Sequence, residues 1–413
     1  DGDNYKIDNL FINRLNDKIG LFGNIGIASI KNLKINNAYV RSRSGNEPYG
    51  FAVLVGYSNT LILENTFVLN SNLISDGASG AIGGMLGWVN NLTATNCGVD
   101  VNIDMNSSGF VGVGGFAGLF AGTVSITNSY SIGTISSTIG RVGGFVGDVT
   151  NSSNVEVSNS FSSVDIESTS GIIGGFVGML YKRMRFNNCY SSGDVSGLNK
   201  IGGFFGWTWN NSGVADTIFE NCYSSGAVSG SSSIGGFGST THGYSGITFT
   251  NSYWNSETSN SLVPTSDTPI SSGIISLTSN QMKIGSNFNN WDFEGVSLDG
   301  NNEIWKYDSN INAGLPSLNN LTVFSNTVPA NIFLSSFSVN ENVVTGTVIG
   351  VLSTSDSDSG DTHTYTLVSG NGDTDNASFN ISGDNLLTNT TLDYETKNSY
   401  SILIQTTDSA RAT

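Results

Sequence analysis

The side chains best suited to chemistry are acidic and lie near the C-terminus. Six of them occur in four short motifs between residues 339 and 408, namely Glu341, Asp356, Asp358, Asp393, Glu395 and Asp408. Carboxylates this close in sequence repel one another unless a hard cation neutralises them, and Ca²⁺ takes about six to eight oxygen ligands. The motifs therefore predict a calcium site, with a merely solvated acidic surface as the alternative.

Groups that enzymes commonly use are scarce in the rest of the chain. It contains only two histidines, His242 and His363, and neither His-Glu-x-x-His nor Gly-x-Ser-x-Gly occurs. Acidic residues between 148 and 220 are sparse, stand at differing positions of their repeats and form no recurrent pair. The chain is therefore predicted not to be an enzyme. A polysaccharide lyase or hydrolase is the alternative, which a groove with converging carboxylates or a Lys/Arg–Asp cluster would favour.

The charge balance and the lack of long apolar runs each exclude one class of partner. Lys and Arg number 16 against 33 Asp and Glu, which gives a net charge of −17. Proteins that bind nucleic acid carry basic patches, so nucleic acid is not an expected partner. No apolar run reaches about 18 residues, so membrane insertion is not expected.

The first residue is Asp rather than Met, which indicates a mature or excised fragment of a longer chain.

Two sequence marks recur about every 30 residues between residues 60 and 255. The first is typically Asn-[Ser/Cys]-[Tyr/Phe], and its asparagines are Asn65, Asn96, Asn128, Asn159, Asn188, Asn221 and Asn251. The second is a Gly-Gly pair, which starts at Gly83, Gly114, Gly143, Gly174, Gly202 and Gly235. The separations run from 29 to 33 for the first mark and from 28 to 33 for the second. Two marks with the same drifting period indicate a repeat array.

Each repeat predicts one turn of a β-solenoid. The segments between the marks are short, alternate apolar and polar residues and favour β-branched side chains, as in 123–127 and 247–250. Equivalent residues of successive turns then stack at the spacing of paired strands, about 4.8 Å. The Gly-Gly pairs are expected where the chain bends and a Cβ would clash. The predicted fold class is all-β, a parallel β-helix or β-solenoid.

Stacking of turns predicts ladders of equivalent side chains. The recurring Asn is expected at a turn with left-handed backbone, in an amide ladder. One aromatic ladder contains Tyr130, Phe161, Tyr190, Tyr223 and Tyr253, and the other contains Phe116, Phe145, Phe176, Phe204 and Phe237. Both are expected in the core, with a sugar-stacking platform as the alternative for a ladder that faces outward. Cys189 and Cys222 are equivalent and are expected as buried free thiols, with a disulfide as the alternative.

The repeat blocks resemble those of a bacterial family. The Gly-Gly-Phe-Val-Gly segments 143–147 and 174–178, together with the Asn-[Ser/Cys]-Tyr-Ser segments, are similar to the GLUG repeat of secreted surface proteins. The resemblance implies solenoid repeats over residues 1–255. It also implies a C-terminal cap over residues 256–318, where Trp, Phe and Pro replace the repeat. Such a cap is needed because an open solenoid end exposes unpaired strand edges.

Residues 331–413 have a different character, with ten acidic and two basic residues and evenly spaced strands. The four acidic motifs resemble, in order and spacing, the calcium motifs of a bacterial cadherin-like β-sandwich. The resemblance implies Ca²⁺ at two poles of the domain. One pole would hold Asp356, Asp358 and Asp408, and the other would hold Glu341, Asp393 and Glu395. Residues 319–330 are expected to be a linker, and the domain is expected to stop before its last strand.

These features together predict a fragment of a large, secreted bacterial surface protein. Its expected role is mechanical, as a rigid stalk that carries a calcium-binding cadherin-like module for cell-surface attachment or adhesion. The expected partners are an extracellular glycan or a surface protein, and further domains of the same long chain. A self-assembling extracellular filament subunit is a further alternative, because the first turn shows no cap.

Overall fold

The computed structural model divides the chain into two compact units, Asp1–Phe324 and Ser325–Thr413. The structure describes residues 1–15, 18–43, 50–77, 80–106, 111–138, 140–150, 154–169, 171–181, 184–209, 217–242, 247–259, 263–266, 272–295, 303–308, 312–319, 321, 323, 331–355 and 363–408. Among these residues, no helix has the length and apolar character that a membrane crossing requires.

The first unit is a β-solenoid whose turns contribute strands to two parallel sheets. The larger sheet has 23 strands, which are Lys6–Asp8, Phe11–Arg14, Phe22–Asn36, Tyr39–Ser42, Val55–Asp76, Leu86–Thr95, Gly98–Asn106, Ala117–Phe120, Thr123–Thr127, Tyr130–Ser137, Val146–Val149, Asn154–Ser168, Val177–Leu180, Met184–Ser191, Val195–Ser196, Phe205–Trp209, Thr217–Glu220, Tyr223–Ser224, Val228–Ser229, Gly238–His242, Ile247–Thr250, Ser252–Asn255 and Ile274–Leu277. The smaller sheet has eight, one for each level, which are Lys18–Ile19, Gly50–Ala52, Gly80–Gly83, Val111–Gly114, Arg141–Gly143, Ile172–Gly174, Asn199–Gly202 and Ser232–Gly235. The predicted all-β solenoid is therefore confirmed.

Successive turns are stacked in register, so equivalent residues pair directly. Val142 pairs with Ile173, which in turn pairs with Ile201, and the Gly-Gly marks coincide at every step. The glycines are required because the two strands of one turn approach each other closely at this bend. A Cβ on Gly143 would lie 1.9 Å from the carbonyl oxygen of Val146, and one on Gly174 would lie 2.0 Å from the carbonyl oxygen of Val177. This confirms the predicted role of the glycine pairs.

The recurring asparagines form the predicted amide ladder. Their φ angles lie between 45° and 54°, in the left-handed region that Asn tolerates better than most residues. Asn221 Nδ2 donates to Asn188 Oδ1 at 3.1 Å, and Asn188 Nδ2 donates to Asn159 Oδ1 at 3.1 Å. Asn96 Nδ2 donates in the same way to Asn65 Oδ1 at 2.6 Å. Asn188 thus acts as a donor to one turn and as an acceptor from the next, and Asn65 does the same between Asn32 and Asn96.

Phenylalanines fill the interior of the solenoid. The predicted ladder runs through Phe116, Phe145, Phe176, Phe204 and Phe237, with adjacent ring centroids 4.7–5.0 Å apart and every ring fully buried. A second interior ladder, which the sequence did not predict, joins Phe186, Phe219 and Phe249 at 5.1 and 5.0 Å. It meets the first ladder edge to face, for example between Phe204 and Phe219. This is the favoured geometry for aromatic rings that do not stack in parallel.

The tyrosine ladder is buried as predicted, but it lies outside the interior. Its members Tyr130, Phe161, Tyr190, Tyr223 and Tyr253 belong to a separate cluster with Trp291 and Trp305. The rings from Tyr130 to Tyr223 stack at 4.8–5.6 Å between turns, while the small residues Ser129 and Ser131 on either side of Tyr130 are fully buried. Alternation along a strand explains the arrangement, because neighbouring side chains point to opposite faces of the sheet.

The segment that follows the last repeat covers both the end and one side of the solenoid. Its backbone completes the hydrogen bonding of the last turn. The amide of Gly236 donates to the carbonyl oxygen of Val263, and the amide of Ser252 donates to that of Gly273. Further along, the two-stranded ladder of Trp305–Lys306 and Ser317–Leu318 lies in the cluster with the tyrosine ladder. Short 3₁₀ helices at Gln281–Lys283, Gly285–Asn287 and Asn312–Gly314 connect this region. The sequence predicted only a cap over the open end, so the lateral cover is a correction.

Hydrogen bonds fix the covering segment to the tyrosines. Tyr223 Oη donates to the carbonyl oxygen of Pro316 at 2.5 Å and accepts from Asn312 Nδ2. Tyr253 Oη accepts from the backbone amide of Asn289 at 2.7 Å. The buried hydroxyls of Tyr223 and Tyr253 thus have partners, which avoids the cost of leaving them unpaired.

All three cysteines are buried and free. Cys189 and Cys222 lie on adjacent turns, as predicted, and each thiol donates to a backbone carbonyl, such as that of Asn187 or Glu220. Burial raises the pKa of the Cys222 thiol well above its ordinary value and that of Cys97 to about 12. The thiols of Cys97 and Cys222 are therefore protonated and behave as small apolar groups.

The second unit is built from antiparallel strands in two sheets. Four strands form one sheet, Asn331–Leu334, Val348–Ser355, Asn385–Thr388 and Phe379–Ser382, and two form the other, His363–Leu367 and Ile404–Asp408. A single 3₁₀ turn at Asn376–Ser378 lies between strands among the described residues. The small core contains Phe379, Leu386 and Leu392, and Thr354 Oγ1 lies 2.9 Å from Tyr365 Oη, linking the two sheets. A groove of about 860 Å³, lined mainly by apolar residues such as Phe337, opens on one side of this core.

The Asn ladder yields a test that separates backbone strain from side-chain hydrogen bonding. Asn188→Gly keeps the left-handed backbone but loses two amide contacts, each contributing about 0.5–1.5 kcal/mol. Asn188→Ala loses the same contacts and adds about 1–3 kcal/mol of backbone strain. We therefore expect the midpoint of urea denaturation to fall in the order wild type, Asn188→Gly, Asn188→Ala. The exposed strand residue Ser125 provides a control, since Ser125→Ala should change stability by less than about 0.5 kcal/mol. Equal midpoints for the Gly and Ala variants would contradict the account of the ladder.

Candidate calcium-binding site

Two acidic motifs of the second unit lie side by side. The backbone amide of Asn342 donates to the carbonyl oxygen of Leu392 at 2.8 Å, which brings the turn containing Glu341 to the start of the segment 392–395. Asn342 has a φ of 59°, a conformation that Asn adopts in turns. Leu392 is buried in the small core, so it anchors the segment while Asp393 and Glu395 remain exposed.

Hydrogen bonds orient the carboxylates of this pair of motifs. Glu341 Oε2 accepts from the backbone amide of Tyr394 at 3.0 Å. Asp393 Oδ2 accepts from Thr396 Oγ1 at 2.7 Å, and Asp393 Oδ1 accepts from the amide of Glu395 at 3.0 Å. The Thr396 hydroxyl, followed by the Glu395 amide, holds the pKa of Asp393 below its ordinary value. The contribution of these bonds to stability is therefore present above the unfolded pKa of about 3.9 and is lost as the pH falls through the lowered folded value.

The structure brings together one predicted pole only in part. Glu341 contacts the segment that contains Asp393 and Glu395, as the resemblance to calcium motifs implied. Asp408 ends the strand Ile404–Asp408 opposite His363, while Asp356 and Asp358 lie outside the described residues. The assignment of these six residues as calcium ligands remains a prediction.

The donor chemistry at Glu341, Asp393 and Glu395 suits Ca²⁺, because all three offer hard carboxylate oxygens on an exposed surface. However, within the ranges that the structure describes, no three or more His, Cys, Asp or Glu side chains converge on one point. The described residues would therefore supply only part of a calcium coordination shell, and a complete shell would require further oxygen ligands.

Asp375 is a half-buried acidic residue that the sequence did not single out. Its side chain accepts from Lys397 Nζ at 2.5 Å and from the backbone amide of Ser401 at 2.7 Å. These partners lower the pKa of Asp375, with the Lys397 hydrogen bond as the largest cause. The residue ties its loop to the segment after Glu395. Nothing in its local sequence distinguishes it from the other aspartates of the unit.

The acidic residues of the solenoid require one correction. Asp165 and Asp194 were expected at differing positions, but they are equivalent, and the amide of Asp194 donates to Asp165 Oδ1 at 2.9 Å. Asp194 Oδ1 accepts in the same way from the amide of Ala227 at 2.7 Å. Both carboxylates thus bind backbone groups of the next turn. The repeats differ in length. Counting along the sequence with a fixed period therefore does not reveal that Asp165 and Asp194 are equivalent.

One ion pair of the solenoid was also not predicted. Asp148 is 3% exposed, and one of its carboxylate oxygens accepts from the Arg141 guanidinium of the smaller sheet. Burial raises the pKa of Asp148, and the neighbouring Arg141 opposes that effect. The pair joins two strands of one turn where they diverge from the Gly-Gly bend, so its position indicates a structural role.

Comparison with known proteins identifies the second unit. Residues 335–413 match the family model of the cadherin domain. Searches of curated proteins and of solved structures found no match. The chain thus contains a β-solenoid followed by a cadherin domain, a class of module that generally binds calcium and is typical of extracellular proteins.

The site predicts a calcium effect that depends on the Glu341 pole. Addition of Ca²⁺ in the millimolar range typical of extracellular modules should raise the unfolding temperature of the second unit in the full chain. Glu341→Gln and Asp393→Asn should each reduce this increase, because each removes a charged oxygen ligand. Differential scanning calorimetry with and without EGTA measures the effect.

The exposed Asp384 lies in a turn outside these motifs and serves as the matched control. Asp384→Asn should keep the full response to Ca²⁺. The same response in all three variants would show that the Glu341 pole does not bind the ion.

Proposed function

We propose that this chain is part of an extracellular surface protein, in which it acts as a rigid, non-enzymatic spacer or adhesive stalk. The observation that carries the proposal is the uninterrupted stacking of turns through all eight levels of the smaller sheet. Each turn contacts mainly its neighbours, so the number of turns sets the length of the solenoid without changing its structure. A cadherin domain attached to such a solenoid supports an extracellular, adhesion-type role.

The side chains of the solenoid support a mechanical role over a catalytic one. The carboxylates of Asp165 and Asp194 are engaged by backbone amides of the following turn, and Asp148 is paired with Arg141. These groups hold turns together, whereas a glycosidase needs two carboxylates that face a substrate at a defined separation. Ca²⁺ at the poles of the cadherin domain would stiffen the junction with further domains of the same long chain.

The proposal predicts that one complete turn can be removed without loss of the fold. Deletion of residues 143–173 joins Val142 to Gly174, and because Gly143 and Gly174 are equivalent, the shortened chain stays in register. We expect a soluble protein with a β-rich circular dichroism spectrum and a single cooperative melting transition for the solenoid. The Phe116–Phe237 ladder, the tyrosine ladder and the asparagine ladder are each one member shorter in this variant, whereas the ladder of Phe186, Phe219 and Phe249 is unchanged.

A deletion of half a turn is the matched control. Removal of residues 158–173 leaves the chain out of register, so it should produce an aggregated or unfolded product. If both deletions unfold the protein, the turns are not interchangeable units and the spacer proposal fails.

A further inference from the structure

An aromatic pair on the outer surface of the solenoid lies outside both core clusters. Tyr57 and Trp88 occupy paired positions of the strands Val55–Asp76 and Leu86–Thr95, with ring centroids 6.3 Å apart and planes inclined by 47°. Val55 and Val89 of the same strands point into the interior, whereas Tyr57 and Trp88 are only half-buried. The pair therefore presents aromatic surface beside solvent.

Asparagine side chains hold the two rings in place. Tyr57 Oη donates to Asn59 Oδ1 at 3.0 Å, and Trp88 Nε1 donates to Asn90 Oδ1 at 3.0 Å. Asn90 Nδ2 joins the two turns by donating to Asn59 Oδ1 at 2.9 Å. Asn59 is exposed, and its amide nitrogen has no hydrogen-bond partner among the residues that the structure describes. The network thus fixes the rings and leaves amide donors at the surface.

Further polar groups adjoin these rings. Lys18 Nζ lies 4.2 Å from the centroid of the Tyr57 ring. Asn91 is exposed, and its Nδ2 donates to the backbone oxygen of Asn59 at 3.3 Å. We call the set Lys18, Tyr57, Asn59, Trp88, Asn90 and Asn91 the Tyr57–Trp88 patch.

We propose that the Tyr57–Trp88 patch binds a neutral glycan. A pyranose ring offers an apolar face of C–H groups to an aromatic ring and a rim of hydroxyls to amides, which both donate and accept hydrogen bonds. A purely apolar ligand would leave the amides unpaired at a cost. A nucleic acid or sulfated glycan would meet a single cation of the patch, Lys18, on a protein of net charge −17. The inference deepens the proposed adhesive role by assigning a ligand class to one surface.

The test uses the full chain and soluble oligosaccharides as probes. Cellohexaose, chitohexaose and mannohexaose are titrated by isothermal calorimetry and by tryptophan fluorescence, with heparin hexasaccharide as the anionic comparison. We expect saturable binding of at least one neutral probe, with a Kd of about 0.1–1 mM, and weaker binding of the heparin probe.

Variants locate the binding within the patch. Asn59→Ala changes an exposed side chain and should lower affinity at least about tenfold without loss of fold, as should Trp88→Ala. Trp88→Phe should retain part of the affinity because it keeps an aromatic face. The matched control is Tyr5→Ala, which removes a lone aromatic ring that is 74% exposed and should leave binding unchanged.

Two results would overturn the inference. One is that none of the neutral probes binds the wild-type chain at about 10 mM, far above the expected Kd. The other is binding that Asn59→Ala and Trp88→Phe both leave unaltered. Either outcome is independent of the spacer role, because the turn deletion removes residues 143–173, which contain no member of the patch.

Discussion

The in-register stacking of turns is the constraint on which the rest of the solenoid depends. Each residue lies about 4.8 Å from its equivalents in the turns before and after it, so every side chain must tolerate a similar neighbour on both sides. Planar groups meet this requirement well, and the phenylalanine and asparagine ladders are the result. Like charges directly above one another do not meet it. The carboxylates of Asp165 and Asp194 escape repulsion by each accepting a backbone amide of the next turn.

A structure that repeats along one axis also needs residues that cover its ends and its apolar outer faces. Trp254 takes the position that Ser224 holds one turn earlier, and it is buried against the final interior residues. The segment that follows completes the backbone pairing of the last turn and then covers the tyrosine ladder with Trp291 and Trp305. The stacked tyrosines therefore serve as an outer binding face for the chain's own cap. The Tyr57–Trp88 patch, in contrast, lies outside this cover.

The sequence predicts those features of the fold that recur in every turn. The positive φ of the asparagines, the close approach at Gly143 and the interior phenylalanine ladder all follow from period and residue type. The side on which the tyrosine ladder lies does not follow, because alternation assigns neighbouring residues to opposite faces without showing that a later segment covers the outer one.

Contacts that occur in one turn only were missed for a similar reason. The Arg141–Asp148 pair joins two strands whose proximity depends on the bend between them. At the candidate calcium site, the resemblance to calcium motifs implied that Glu341 and Asp393 share a pole, and Glu341 does contact the segment of Asp393. The assignment of ligands stays a prediction, because ligand geometry depends on backbone detail that no spacing encodes.

Distances between spin labels provide the most direct test of in-register stacking. Ser29, Glu156, Arg185 and Thr248 are exposed, and a continuous series of strand pairings places them in one column of the larger sheet. The three native cysteines are buried, which spares them from labelling. Cysteine pairs that join position 29 to positions 156, 185 and 248 span four, five and seven turns, so backbone separations of about 19, 24 and 34 Å are expected. Double electron–electron resonance should show a linear increase with the number of turns. Distances that fail to grow with turn number would contradict the stacked solenoid.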